Sequence, residues 1–450
     1  MPHHVEAFVA KMTRAGIDPA AVTCFREFYL RYRSGQARTE VREEDIRPVP
    51  DELMVHFEDL PPAAPTAADG TTVAIRLNGG LGTSMGLTRA KSLLEVKPGL
   101  TFLDVIARQA LATGQPLLFM DSYNTRQDTL EHLARYPGLR RSGLPLDFLQ
   151  NQFPRIRAVD GAPLDFGDER DWNPPGHGDL YLAIQRDGLL DHLVSLGCRT
   201  AFVANADNLG AVPDPRIPAF MAAAGIPFLM EVCRRTPMDR KGGHLALRHD
   251  RQVLCLREAA QRPRDGDRFE DIERYGWFNT NSLWVDLIAL QAVLRAGHGI
   301  LSLPLMANPK TVDGIPVVQL ETAMGAAIES FPGARALAVP RERFVPVKKT
   351  CDLLVLRSDL YALDEASGEL RQAPGTALPM VDLDEAHFRS VTHLDERFAE
   401  GVPSLRACTA LTVRGPVSFA GGVILRGRVT ILADSPKRLP PGTYEGTVRL

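Results

Sequence analysis

The chain has 450 residues, 44% of them hydrophobic and 24% charged, with a formal charge of −3 at pH 7. That is an ordinary globular composition with length for roughly three domains, and its balance argues against a nucleic-acid binder, which carries a strongly basic face. The six cysteines are scattered without a CxxC pair, no window approaches about 18 uninterrupted apolar residues, and the amino terminus lacks a basic segment followed by an apolar one, so the sequence reads as a cytoplasmic protein with reduced thiols, no membrane span and no leader.

Residues 1–60 space apolar positions among charges, as in CFREFYLRYRSG (24–35) and DELMVHF (51–57), and predict short amphipathic helices. LPPAAPTAADG (60–70) is a Pro- and Ala-rich break that marks a boundary. From Thr72 onward, TVAIRL, PLLFM, TAFVAN, IPFLMEV, SLWVDL and DLLVL predict strands, and TFLDVIARQALATG and PRIPAFMAAAG predict helices between them. That alternation implies an α/β sheet with helices on both faces.

The last fifty residues follow another rule. Apolar pairs stand at Leu411/Val413, Val417/Phe419, Val423/Leu425 and Val429/Ile431, each six positions after the last, and Gly415, Gly421 and Gly427 keep the same step. Inward pairs at that period, separated by turn glycines, are the mark of a hexapeptide β-helix; a hairpin meander is the alternative. Three such faces make one coil, so the stretch builds little more than a turn and must lean on the main domain or on another subunit.

AIRLNGGLGTSMGLTRAKSLLEV (74–96) feeds an apolar run into a glycine-rich turn and then a helix-like stretch. Such a turn presents backbone N–H groups to an anion, and a following helix adds its dipole. The loop lacks the GK[ST] ending of a Walker motif, and Gly80, Gly82 and Gly86 are spaced one residue too long for the dinucleotide fingerprint. Taken alone it could be a plain tight turn, but Arg89 and Lys91 follow at once, where a cation could meet bound phosphates.

LNGGLGTSMG, KSLLEV, TFLDV, NPPGHGDLY (173–181), VANADNLGA (203–211), KGGHLAL (241–247), WFNTNSLW (277–284), VVQLETAMGAAI (317–328) and RFVPVKKTCDLL (343–354) together closely resemble the motifs of the eukaryotic-type UTP–glucose-1-phosphate uridylyltransferases, or UDP-glucose pyrophosphorylases. The Thr83-Ser84-Met85 triplet separates this family from the related UDP-N-acetylhexosamine enzymes, whose loop carries an arginine. The resemblance implies a Rossmann-like nucleotidyltransferase core, a mixed sheet flanked by helices, with a small helical N-terminal segment and a short left-handed C-terminal β-helix. It implies segments at 1–70 (helical), 71–360 (catalytic), 361–400 (linker) and 401–450 (β-helix), the last a surface for homo-oligomer assembly. The activity implied is Mg²⁺-dependent in-line attack of glucose 1-phosphate, or another hexose 1-phosphate, on the α-phosphate of UTP, with no nucleic acid or membrane involved.

Both reactants are polyanions, so the protein must supply cations and donors matched to the transition state. By resemblance, Lys91 meets the UTP phosphates and Lys348 in VPVKKT is the main catalytic group, with Lys349 facing elsewhere because adjacent side chains of an extended segment diverge. Leu77, Asn78, Gly79 and Gly80 form the nucleotide loop, and Gly176 lies against the nucleotide. Asp207 follows the strand-like AFVA, at the carboxyl end where open α/β sheets bind ligands; on pattern alone it is either a Mg²⁺ ligand or an Asx turn, and the resemblance favours the metal. Asn205, Ala206 and Asp207 meet substrate, His177 reaches the sugar phosphate, and Glu258 and Asn281 are candidates for sugar hydroxyls. Gln150 matches the glutamine that reads uracil, although Gln152 stands nearby. The family carries Gly-Pro before its loop lysine where this chain has Arg89-Ala90, which leaves the role of Arg89 open. A hexapeptide acyltransferase would need many more coils than one, and a catalytically silent sugar-nucleotide binder is disfavoured by the joint presence of Lys91, His177, Asp207 and Lys348.

Overall fold

The computed structural model describes residues 3–35, 40–62, 71–141, 143–263 and 268–450. Its centre is a mixed sheet of β1 (Met54–His56), β2 (Thr72–Asn78), β3 (Leu117–Asp121), β4 (Asp147–Leu149), β5 (Thr200–Asn205), β6 (Phe228–Arg234), β7 (Trp277–Asp286) and β8 (Arg335–Ala338), side by side in the order β1-β8-β6-β7-β5-β2-β3-β4. Neighbours run parallel except at β7, which is antiparallel to both β5 and β6. Every residue of β2 and β3 is buried, as the near-continuous apolar runs of a parallel sheet covered on both faces require. Alternate residues serve the two faces: Ala74 and Phe119 join one core cluster, while Val73, Ile75, Leu118 and Met120 join the other.

Helices α1 (His3–Arg14), α2 (Pro19–Arg33), α3 (Phe102–Thr113), α4 (Arg126–Leu133), α5 (Arg216–Ala224), α6 (Leu287–Ala296) and α7 (Thr350–Arg357) surround this sheet. In α3 the Thr101 hydroxyl accepts from Asp104 N at 3.2 Å while Asp104 Oδ2 accepts from Thr101 N at 2.7 Å, a reciprocal cap that starts the helix where the sequence places it. Helices α1 and α2 pack against Phe153, Ile156, Leu305, Val318 and Leu320, beneath the antiparallel hairpin of Leu305–Val312 and Ile315–Thr322.

Three local expectations are corrected. DELMVHF is a short 3₁₀ turn, Asp51–Leu53, followed by β1, which adds to the edge of β8. DLLVL is not a strand but the body of α7; four apolar residues suit a strand or a buried helix equally, and Asp352 decides by accepting from the N–H groups of Lys348 and Lys349, both at 2.8 Å. The glycine loop does not open a helix: Thr83–Met85 and Lys91–Leu93 are single 3₁₀ turns and the chain then enters the short strand Glu95–Lys97, so the expected helix directly after the loop is absent. Positive φ at Gly82 (68°) and Gly86 (78°) breaks the helical path. Most of the Pro/Ala-rich break, 63–70, lies outside the described residues.

At the carboxyl terminus β9 (Met380–Leu383), β10 (Ser404–Arg414), β11 (Val417–Phe419), β12 (Val423–Leu432), β13 (Lys437–Leu439) and β14 (Gly442–Arg449) pair in parallel, as β9-β10-β12-β14 and β11-β13. The pairing is not that of a hairpin meander. Leu411 faces Val429 and Val413 faces Ile431, three six-residue steps along the chain, and all eight residues of the apolar pairs are buried. Between Leu411 and Ile431 the glycines with positive φ are Gly415, Gly422 and Gly427, so the second falls one residue later than the sequence period places it. The stack leans on the main domain: Phe102, Ile106, Leu354, Leu411 and Val429 belong to one core cluster. Between the two, residues 361–400 carry the hairpin Tyr361–Leu363/Leu370–Gln372, β9, and helices α8 (Glu385–Phe388) and α9 (Val391–Arg397).

Candidate active site

Strands β2, β3, β4 and β5 end at one edge of the sheet. Asn78 pairs with Asp121, Asp121 with Leu149, and Leu77 with Asn205, so the residues that follow each strand emerge together, at the edge where α/β sheets bind ligands. Antiparallel β7 enters there, its pairing with β5 running from Thr200–Asp286 to Val203–Leu283.

From this edge rises the loop 79–91. Its ends are tied by Lys91 N donating to Gly80 O at 3.1 Å, and Gly79 lies so close to Gln150 that an added Cβ would stand 2.8 Å from Gln150 Oε1. The Ser122 hydroxyl donates to Gly79 O at 2.9 Å. The Asn78 side chain turns inward, donating to Asp121 Oδ1 and Thr129 Oγ1 at 2.8 Å each; toward the cleft it offers its backbone, not its amide. Arg89 is a structural residue: its guanidinium grips Asp128 of α4, whose other oxygen accepts from Ala90 N at 2.8 Å. That fixes the loop immediately before Lys91.

The Lys91 ammonium donates to Asp207 Oδ2 and to the carbonyl of Val347. Three motifs separated by more than a hundred residues therefore meet at one cation. The partner segment is carried there by Asn208, whose side chain donates to Arg343 O at 3.2 Å and accepts from Val345 N at 2.9 Å. Arg343 is itself seated by two bonds to buried Glu231, at 2.6 and 3.0 Å, which also accepts from the Trp284 indole at 2.8 Å. Neither Glu231 nor Arg343 was assigned a role from the sequence, although Arg343 opens the RFVPVKKTCDLL motif, since a buried ion pair between a strand and a distant 3₁₀ turn leaves no local pattern. Asn208 lay inside the quoted VANADNLGA motif but carried no assigned role.

Lys348 and Lys349 diverge. Lys349 Nζ pairs with Glu385 of α8 at 2.8 Å, while Lys348 Nζ stands 5.8 Å from the Phe278 ring centroid and its charge acts on Glu258. Burial raises the Glu258 carboxyl above its usual range, against the opposing effects of Lys348 and of a hydrogen bond from Asn279. Asn279 in turn donates to Asn281 Oδ1 at 2.9 Å, and Asn281 sits at φ 57°, a left-handed conformation that asparagine tolerates better than most residues. Glu258, Asn279, Asn281 and Lys348 thus form one polar group beside Phe278.

On the other flank, Gln150 Nε2 donates to Gly176 O at 2.7 Å. Gln152, half-buried, makes no such link among the described residues. Gly176 adopts φ 80° and presses on the neighbouring hairpin, where a Cβ would lie 2.5 Å from Thr322 O. His177 Nδ1 accepts from Met324 N at 3.0 Å, so the neutral ring carries its proton on Nε2, and burial pushes its pKa down to about 4. Asp207 keeps one buried oxygen, Oδ1, without a partner.

A glycine loop, a lysine paired with a strand-end carboxylate and a second lysine across the same edge define an α/β nucleotide-binding protein arranged to hold phosphates. A family model described as UTP–glucose-1-phosphate uridylyltransferase matches residues 22–426. The protein of that name from Solanum tuberosum is 39% identical over 427 residues, 91% of this chain and 87% of its own; the one from Hordeum vulgare is 40% identical over 433 residues, 92% and 89%. Among solved structures, UDP-glucose pyrophosphorylase from Leishmania major, described in open and closed forms, superposes with a TM-score of 0.92 at 40% identity over 100% of this chain and 99% of that one. A mutant of the Leishmania enzyme in complex with UDP-glucose gives 0.91 at 40% identity, over 99% of each chain. The chain belongs to the UTP–glucose-1-phosphate uridylyltransferase family.

Proposed function

We propose that this protein is an enzyme that makes UDP-glucose and pyrophosphate from UTP and glucose 1-phosphate. The observation that carries the reading is the Lys91 ammonium, bonded at once to the Asp207 carboxylate and to the backbone just before Lys348. Leu77, Asn78, Gly79 and Gly80 present backbone to the triphosphate, with Gly176 closing on the nucleotide. The amide of Gln150, with its Nε2 already donated to Gly176, offers Oε1 to the imide N–H of uracil. Lys91 exchanges its protein partners for UTP phosphate oxygens. Lys348 balances charge on the transferring α-phosphate, where a fixed cation in a desolvated cleft is worth most. His177 donates from Nε2 to the sugar phosphate without adding charge. Asn205, Ala206 and Asp207 meet the substrates at the strand end, and Glu258 and Asn281 accept from sugar hydroxyls.

The unpartnered Asp207 Oδ1 fits one ligand position of a hard cation, and no group of three or more His, Cys, Asp or Glu suited to a protein-only cage exists among the described residues. That donor set suits Mg²⁺, which takes its remaining ligands from phosphate and water. When bound, the ion would draw negative charge from the phosphate oxygens.

The same reading divides the chain at about residues 70, 360 and 400 into helical segment, catalytic domain, linker and a short left-handed β-helix, the three boundaries following the family pattern. Strand β14 has β12 as its neighbour in the described sheet, and its other edge is a surface on which a second copy could pair. Six free cysteines, five of them buried, suit a reducing compartment such as the cytoplasm; no helix among the described residues is long and apolar enough to cross a membrane.

The test is pyrophosphate release from UTP and Mg²⁺ with a panel of sugar 1-phosphates assayed side by side. Glucose 1-phosphate is expected to give the highest kcat/KM. A better hexose would move the substrate assignment, and UTP binding without turnover of any of them would overturn the enzymatic one.

A further inference from the structure

Two turns far apart in the chain are clipped together on the base side of the cleft. Gln150 donates to Gly176 O. The next residue, Asn151, gives two donors to a single side chain: its backbone N–H goes to Asp179 Oδ2 at 2.6 Å and its amide to Asp179 Oδ1 at 2.8 Å. Arg186 completes the arrangement, donating to Leu149 O at 2.6 Å and to Asn151 Oδ1 at 3.4 Å. Asn151 and Asp179 are each 5% exposed, so water does not compete for these bonds. Gln150 adjoins one jaw of the clip, and His177 lies two residues from the other.

We infer that Asp179 is a positioning residue that sets selectivity for the uracil base, acting through Gln150 and the Gly176–His177 turn; the inference rests on the assignment of base reading to Gln150 made above. The physical reason is the count of acceptors. An ionised carboxylate offers two acceptor oxygens, and here both are used by donors of one residue. An asparagine at this position keeps one acceptor and turns an N–H₂ against either the Asn151 backbone N–H or its side-chain amide. Two buried donors then face each other, and the turn holding Gln150 must move away. A base-reading amide is sensitive to such a shift, because a site that pairs with a hydrogen-bonding edge discriminates only when the pairing geometry is held. Alternative bases, which do not make that pairing, lose less.

The experiment measures kcat/KM for UTP and for CTP in the full-length enzyme and in Asp179→Asn, Asn151→Ala and Gln150→Ala, with the melting temperature of each. Gln150→Ala is expected to collapse the UTP-to-CTP ratio. Asp179→Asn is expected to lower the ratio about tenfold or more, chiefly through KM for the nucleotide, and Asn151→Ala, which removes one prong, to lower it less. If Gln150→Ala lowers the ratio while Asn151→Ala and a folded Asp179→Asn leave it unchanged, the inference falls and the base-reading assignment stands. If Gln150→Ala itself leaves the ratio unchanged, both fall. Should Asp179→Asn fail to fold, Asn151→Ala decides.

Discussion

Lys348 and Lys349 are adjacent, alike in charge and different in surroundings. Lys349 is held in an exposed ion pair with Glu385, an interaction that water and salt screen, while Lys348 turns to the polar group beside Phe278. Lys348→Ala should therefore lower kcat on the order of a hundred-fold or more, and Lys349→Ala should change it little; steady-state kinetics that ranked them the other way would overturn the assignment. His177 makes a pH prediction. Its pKa of about 4 lies below the ordinary value of 6.5, so the folded protein favours the neutral ring. The stability this contributes is complete above pH 6.5 and is lost as the pH falls through 4. Imidazole resonances followed by NMR should show His177 uncharged from pH 8 down to about 5, and a titration near 6.5 would contradict the part-buried Nδ1 contact with Met324 N. Asp179 has the opposite sign. Burial lifts its carboxyl to about 6 from 3.8, and the stability linked to its proton is complete below 3.8 and lost as pH rises through 6.

Among the elements, the glycine loop depends on α4. Asp128 holds both Arg89 and Ala90 N, so Asp128→Ala should raise KM for UTP several-fold while the melting temperature moves little, the broken bonds being near the surface. An unchanged KM would mean that the loop holds its shape alone. The segment carrying Lys348 depends on the sheet through Glu231 and Arg343. Removing one partner of a buried pair typically costs about 3–5 kcal/mol, so Glu231→Gln should destabilise the protein by that order in urea unfolding and reduce activity with it. Element type was legible wherever periodicity and caps agreed. TAFVAN is β5 residue for residue, and TFLDVIARQALATG is α3 with its capping box and terminal glycine. DLLVL failed because a four-residue apolar run has no period of its own, and the loop-to-helix expectation failed because two left-handed glycines interrupt it.

Across the molecule, a single core cluster runs from α3 through α7 into the C-terminal stack. Leu411, fully buried, lies within it, and Leu411→Ala should cost about 2–5 kcal/mol. Because that core is shared, thermal inactivation and loss of circular dichroism should shift together; separate transitions would show that the stack unfolds as an independent unit. By itself, the sequence determined the α/β class, the six-residue period and the motifs that place the chain in its family. Those features live in local residue order, where spacing and turn chemistry act over a few positions. Only the tertiary structure decided which side chains work at the cleft. It turned Asn78 inward, assigned Arg89 to Asp128, and set Asp207, Val347 and Lys91 together. Such choices depend on ion pairs and hydrogen bonds between segments from about forty to more than two hundred residues apart, whose partners are fixed by how the sheet is ordered and not by what stands beside them in the chain.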